Sequence, residues 1–218
     1  MKSRQFLLPV LALAVATLAA GSDAVKLTAL ERSQGWRLLF DGVSAGDWRG
    51  YRANALPANW HVREQSLTGA AGLALASVEE YGDFELLFDW KVAPGGHGEV
   101  YFRVSEDGKT PEETGPVMEL AGHGDKLAGN GGLNEPDRAI TPQFDVWYRA
   151  RITVYGKQVE YWINGERVAG FALGSPDWKR AVAGSRFKAF PDFGALPGGR
   201  LVLAGDGVAF RNVKIRAL

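Results

Sequence analysis

A chain of 218 residues with 46% hydrophobic and 11% aromatic residues carries enough apolar material for a sizeable core, which excludes a disordered chain. Its 25 basic and 25 acidic residues balance, so neither nucleic acid nor an anionic membrane surface is an expected partner. Cysteine is absent, which excludes disulfides, lipidation at an N-terminal cysteine and any thiol nucleophile.

Lys2 and Arg4 precede an apolar run from Phe6 to Ala20, and small residues follow at Gly21, Ser22 and Ala24. This pattern predicts a cleaved export signal over residues 1–24 and leaves residues 25–218 as a single β-sandwich domain. The run is shorter than the roughly 20 residues that span a bilayer, so no membrane contact is expected after cleavage, and the protein is expected in the periplasm or outside the cell. Cutting after Gly21 removes two of the 25 basic residues and none of the 25 acidic ones, so the mature chain carries −2.

Thr28 followed three residues later by Glu31 has capping-box spacing, and it predicts a short helix through Ser33 that Gly35 stops. Trp36 to Phe40 reads as a strand. Trp60–Arg63 and Ser66–Thr68 read as a strand pair turning at Glu64-Gln65. From Phe84 to Val92 every second residue is apolar; after Pro94-Gly95-Gly96, Val100, Phe102 and Val104 alternate with Glu99, Tyr101 and Arg103. The expectation is a hairpin of two long strands with the Pro-Gly-Gly segment as its turn. Residues 116–121 form a further strand with Val117 and Glu119 on one side, and the glycine-rich segment 122–141 reads as a long loop bordering a site. Strands then recur over 147–155, 159–163 and 167–171, with Asn164-Gly165 as a hairpin turn. Ser175-Pro176 caps a short helix, and 201–204 and 208–215 close the chain as strands. Roughly a dozen short strands with one or two short helices predict an all-β, two-sheet antiparallel sandwich or jelly roll.

Three sets of residues could carry chemistry. Glu99 and Glu119 project at mid-strand with Tyr101 and Arg103 expected on the same face, so a carboxylate base beside a guanidinium is one reading and a solvated salt bridge the other. His97 and His123, with Glu99 and Asp125, could offer nitrogen and oxygen ligands to a divalent metal, although no spacing here is specific for one and no cofactor is required. Seven tryptophans, with Trp48, Tyr51 and Trp60 close together near predicted loops, suit stacking on sugar rings, whereas Trp36, Trp90 and Trp162 fall in strands as core. No G-x-S-x-G nucleophile motif occurs.

The segments GWRLLFDGVSAGDWRGYR, YGDFELLFDWKVAPGG with VYFRVSEDG and ETGP, YWINGERV, GSPDWKRAVAGSRFKAFPDFG and FRNVKIRAL, taken in order, resemble the bacterial 3-keto-disaccharide hydrolase domain family over nearly all of the predicted domain. The resemblance implies a concanavalin-like β-sandwich, export, and action on glycosides oxidised to a ketone at C3. It implies a base that removes the C2 hydrogen, loss of the C1 oxygen from the enolate, and later addition of water. Arg103 matches the arginine ending the family's strand motif, and Glu119 stands where the family usually has glutamine. His97-Gly98-Glu99 replaces N-S-G, Val117-Met118-Glu119 replaces E-x-Q, and Ala204-Gly205-Asp206-Gly207 replaces Q-D-H-G. The implied site is therefore catalytic Glu119, Arg103 and Glu99, with His97, Tyr101, His123, Asp206 and Trp60 holding a small carbohydrate. The alternative is a non-catalytic carbohydrate-binding sandwich with a degenerate site. Oligomeric state is not legible.

Overall fold

The computed structural model describes residues 24–121, 128–133, 136–137, 140–141 and 143–218. Residues 1–23, on which the export signal rests, and His123 and Asp125 lie outside the described residues. In chain order the elements are α1 (Ala29–Ser33), β1 (Arg37–Phe40), β2 (Trp48–Gly50), β3 (Trp60–Arg63), β4 (Ser66–Gly69), β5 (Leu75–Tyr81), β6 (Phe84–Val104), β7 (Val117–Ala121), β8 (Tyr148–Tyr155), β9 (Gln158–Ile163), β10 (Glu166–Ala172), α2 (Pro176–Ala183) and β11 (Gly199–Ala217).

Local chemistry accounts for several of these boundaries. Thr28 accepts from the Glu31 backbone N–H while the Glu31 carboxylate returns to the Thr28 N–H, closing the capping box of α1. Ser175 caps α2 by accepting from Trp178 N–H, with Pro176 opening the helix. The β9–β10 turn places Asn164 and Gly165 at positive φ, as its sequence predicts. Glu64 and Gln65 adopt φ of 47° and 57° in the β3–β4 turn. Neither residue favours that region, so here the register of the flanking strands sets the turn.

The architecture hangs on β6 and β11, which run antiparallel along almost their whole length. The first half of β6 pairs with β8 and the C-terminal half of β11, giving one layer in the order β10-β9-β8-β6-β11, extended by β4-β3 and by β1. The second half of β6 pairs with β7 and the N-terminal half of β11, giving the other layer in the order β7-β6-β11-β5-β2. Phe84, Leu86, Phe88 and Trp90 from the first layer and Val100, Phe102, Met118, Leu120, Leu201 and Leu203 from the second bury one common core. Each such side chain contributes about 1.5–3 kcal/mol by leaving water. The result is an antiparallel concanavalin-like β-sandwich.

One expectation is corrected. Pro94-Gly95-Gly96 is not a hairpin turn; β6 continues through it as one bent strand. Val92 pairs with Val208 and His97 with Asp206, so four residues of β6 stand opposite Gly207 alone. The surplus length bends the strand from one layer to the other, as bulges do. At the corner the two backbones approach so closely that a Cβ on Gly205 would lie 2.3 Å from the His97 carbonyl oxygen. By the same logic 201–204 and 208–215 are halves of the single strand β11.

Candidate functional site

The outer face of the second layer carries Glu99, Tyr101 and Glu119 of the residues singled out by sequence. Glu99 on β6 and Glu119 on β7 are direct partners in the antiparallel register, with Val117 opposite Tyr101 two residues along. Across β6 on the other side, Ala204 faces Glu99, Val202 faces Tyr101 and Asp206 faces His97. Directly opposed side chains have Cβ atoms about 4.5–5.5 Å apart, and like charges in that arrangement cost stability. Two acids at directly opposed positions are disfavoured by sheet packing unless other groups compensate them, and they mark this face as the candidate site.

Their surroundings are specific. The Tyr101 hydroxyl donates to Glu99 Oε2 at 3.3 Å. Burial, and then the charge of Glu99, push the Tyr101 phenol well above its ordinary pKa, so it stays protonated and remains a donor. Glu119 is seated by residues 128–129: its N–H donates to the Gly129 carbonyl and its carbonyl accepts from Ala128 N–H, both at 2.8 Å. Its carboxylate lies over Gly129, where a Cβ would come within 2.2 Å of Oε2. A larger residue there would displace the Glu119 carboxylate from this seat.

The floor beside the pair is apolar. Tyr51, Ala76, Tyr101, Val104, Val117 and Val202 form a second buried cluster on this face. At its far end Glu106 accepts two bonds from the Arg49 guanidinium, one from Arg200 Nε at 2.9 Å and one from Arg52 N–H at 2.6 Å. These contacts, Arg49 first, hold the Glu106 carboxyl down at about 2. Sequence reasoning passed over this cluster because its members come from three distant segments.

Not every expected residue is brought to the face. Alternation places Arg103 beside Tyr101, but Arg103 has φ of +52°, and three steps of β6 from Tyr101 to Val104 span two steps of β11 from Val202 to Arg200. This bulge breaks the alternation. Arg103, 5% exposed, instead donates from Nε to the Gly82 carbonyl and from a terminal nitrogen to Asp83 at 2.9 Å. Trp60 is likewise not a sugar platform: it is 2% exposed, stacks on Phe210, packs over Gly69 and donates Nε1–H to the Leu73 carbonyl. Trp48 and Tyr51 are buried too. Asp206 is exposed and accepts from Ala71 N–H, tying down the loop after β4. His97 is half-buried at the bend. Among the described residues no group of three or more histidine, aspartate or glutamate side chains could hold a metal ion.

A cation that sequence reading missed does approach the site. Arg186, paired with Glu112 at 3.0 Å, stands close enough to Tyr101 for both charges to act on its phenol. Its signal was weak, since it opens a single 3-10 turn, residues 186–189, with no strand periodicity.

Comparison with known proteins gives this geometry a context. A curated 3-keto-disaccharide hydrolase of Bacteroides thetaiotaomicron is 24% identical, over 92% of this chain and 83% of its own length. A crystal structure from Parabacteroides distasonis, of a protein provisionally called a glycosyl hydrolase, superposes with a TM-score of 0.83 at 28% identity, over 90% of this chain and all of the other. The β-glucanase of Bacillus licheniformis shares the fold alone, with a TM-score of 0.52 at 9% identity, over 84% of this chain and 97% of the other. Residues 35–216 match the 3-keto-alpha-glucoside-1,2-lyase-like domain, and the chain belongs to that family.

Proposed function

We propose that this protein is an exported enzyme that cleaves 3-keto-glycosides and 3-keto-disaccharides by base-assisted elimination followed by hydration. The observation that carries the reading is the directly opposed pair Glu99 and Glu119, with the Tyr101 phenol on Glu99, on the scaffold of this family. A ketone at C3 acidifies the C2 hydrogen. Glu119 takes that proton, and the C2–H electrons move into an enolate on the C3 oxygen. The enolate collapses, forms the C1–C2 double bond and breaks the bond from C1 to the glycosidic oxygen. That oxygen leaves with a proton from a water molecule held at Glu99 and Tyr101, and the Tyr101 phenol stays protonated. Water then adds across the double bond, hydroxyl to C1 and proton to C2, so the net change is hydrolysis. Arg103 takes no part in this scheme, because its guanidinium is committed to Gly82 and Asp83 away from this face.

Export rests on Lys2, Arg4 and the apolar run from Phe6 to Ala20. A second reading, a sugar-binding sandwich without turnover, is favoured by the apolar floor, in which Val117 and Val202 seal the space around Tyr101. One assay separates the two. Incubating the purified mature protein with 3-keto-trehalose and with a 3-keto-glucoside is expected to release free sugar. No release from either, alongside measurable binding of the same sugars, would overturn the enzymatic reading in favour of the second.

A further inference from the structure

Beyond the end of β6, where the bulge turns Arg103 off the sheet face, a cleft of about 470 Å3 lies between the β8–β9 turn, the end of β10, α2 and the segment leading into β11. That volume falls in the range of small-molecule pockets, roughly 300–1,000 Å3. The cleft shares no lining residue with the carboxylate pair. Leu173, Leu196 and Pro197 give it an apolar wall, and Arg103, Lys157, Lys179 and Asp83 give it charge.

The charges do not cancel. Asp83 is neutralised by Arg103 at 2.9 Å and also accepts from Gly156 N–H at 2.9 Å. Lys157 and Lys179 are both exposed, and neither has an ion-pair partner among the described residues. Two uncompensated ammonium groups therefore face a cleft whose one carboxylate is already paired. The walls are fixed in advance. The Arg103–Asp83–Gly156 chain joins the end of β6 to the β8–β9 turn that carries Lys157. Leu173 N–H donates to the Lys157 carbonyl, and Gly194 N–H donates to the Thr114 carbonyl on the far wall, both at 2.8 Å. Two cations lining one cleft attract an oxyanion, and an apolar wall beside them suits the C–H face of a sugar ring.

We infer that this cleft is a second ligand site, distinct from the reaction face, that takes a small sugar bearing a phosphate or carboxylate group. Lys157 and Lys179 hold the oxyanion, and the Arg103–Asp83 pair keeps the cleft's own carboxylate from repelling it. The site does not depend on the proposed reaction, so its test uses binding alone.

Calorimetric titration of the purified protein with glucose 6-phosphate, glucuronate, inorganic phosphate and glucose provides that test. At least one charged sugar is expected to bind tenfold or more tightly than glucose or inorganic phosphate, and to weaken as salt rises. Preference for glucose 6-phosphate assigns a phosphate ester, and preference for glucuronate a carboxylate. The double variant Lys157→Ala/Lys179→Ala, altered only at exposed side chains, is expected to lose at least tenfold in affinity, while Glu119→Gln retains it. Absence of binding by both charged sugars, equal binding of glucose, or an unaffected double variant overturns the site. Inorganic phosphate binding as tightly as the sugars overturns the sugar assignment, and loss of binding in Glu119→Gln moves the ligand to the carboxylate face and overturns the cleft.

Discussion

The first half of β6 carries two outward acids, Glu85 and Asp89, and the second half one, Glu99, and the two halves treat them in opposite ways. In the first half Glu85 and Asp89 point out of the first layer and are almost wholly buried under cations. Glu85 is held by Arg151 at 3.3 Å and by Arg216, and Asp89 by Arg149 at 2.9 Å, Asn212 at 2.7 Å and Arg211 at 3.5 Å. Arg151 and Arg211 in turn lie over the rings of Trp162 and Trp147, at 4.0 and 3.9 Å from the ring centres. In the second half Glu99 faces another carboxyl and a phenol. The same residue type on the same strand is structural where arginines converge on it, and on the proposed function it is reactive where a second acid stands opposite.

The sharpest way to break this comparison is to remove one charge from each half. Glu119→Gln and Glu99→Gln are each expected to lower turnover of a 3-keto-glucoside by about 100-fold to 10,000-fold with unchanged urea midpoints, the range for loss of a positioned acid or base. Near wild-type rates in both variants would remove the pair from the mechanism. Gly129→Ala tests the seat of Glu119 without touching its charge. A Cβ there collides with Oε2, so kcat is expected to fall about 100-fold through displacement of the carboxylate, with far-UV circular dichroism unaltered. In the first half, Asp89→Ala is expected to cost about 1–3 kcal/mol in urea unfolding and leave kcat of the folded protein intact, because it strands hydrogen-bonding partners and touches no substrate. A loss of activity without a loss of stability would reverse the roles assigned to the two halves.

The smallest expected effect is acid sensitivity. The folded Glu106 carboxyl is depressed to about 2 from an unfolded value near 4.3, so its stabilisation is complete above that value and disappears as pH falls toward 2. A shift of this size corresponds to about 3 kcal/mol in a dry site, and solvent at this half-buried cluster reduces the expectation to about 1–2 kcal/mol. Glu106→Gln is expected to flatten the stability profile between pH 4 and 2. An unchanged slope there would show that other carboxylates set it.

Features specified by near neighbours in the chain were legible in the sequence. The α1 capping box, the Ser175 cap and the Asn164-Gly165 turn are decided within a few residues, and the structure has all three. The alternation of Phe84 to Val92 likewise gave the right core face, since a strand's period survives wherever its ladder is regular. Alternation failed where the ladder gains a residue. Pro94-Gly95-Gly96 has the composition of a turn, and only pairing with Gly207, more than a hundred residues away, makes it a bend. Arg103 was misplaced for the same reason, because the extra residue between Tyr101 and Val104 has no local marker. Glu99 and Glu119 kept their register and were found together on one face. Trp60 shows a further limit: tryptophan near a loop reads the same whether its ring meets a sugar or Phe210.

The bent pair at the centre of the sandwich also constrains how the protein comes to be folded. Residues 84–104 find their long partner only in residues 199–217, and β1, β4 and β5 pair with that same segment. Without β11 the strands β7, β6, β8, β9 and β10 can pair among themselves, but β1, β4 and β5 have no place in either layer until β11 arrives. Loop closure across that separation must precede most of the stabilising contacts, which predicts slow, high-contact-order folding. A ribosome-bound chain still lacking β11 would leave open the edge of β6 that pairs with it. Disruption of Gly205 or Gly207 would then act on the rate of assembly of both layers at once.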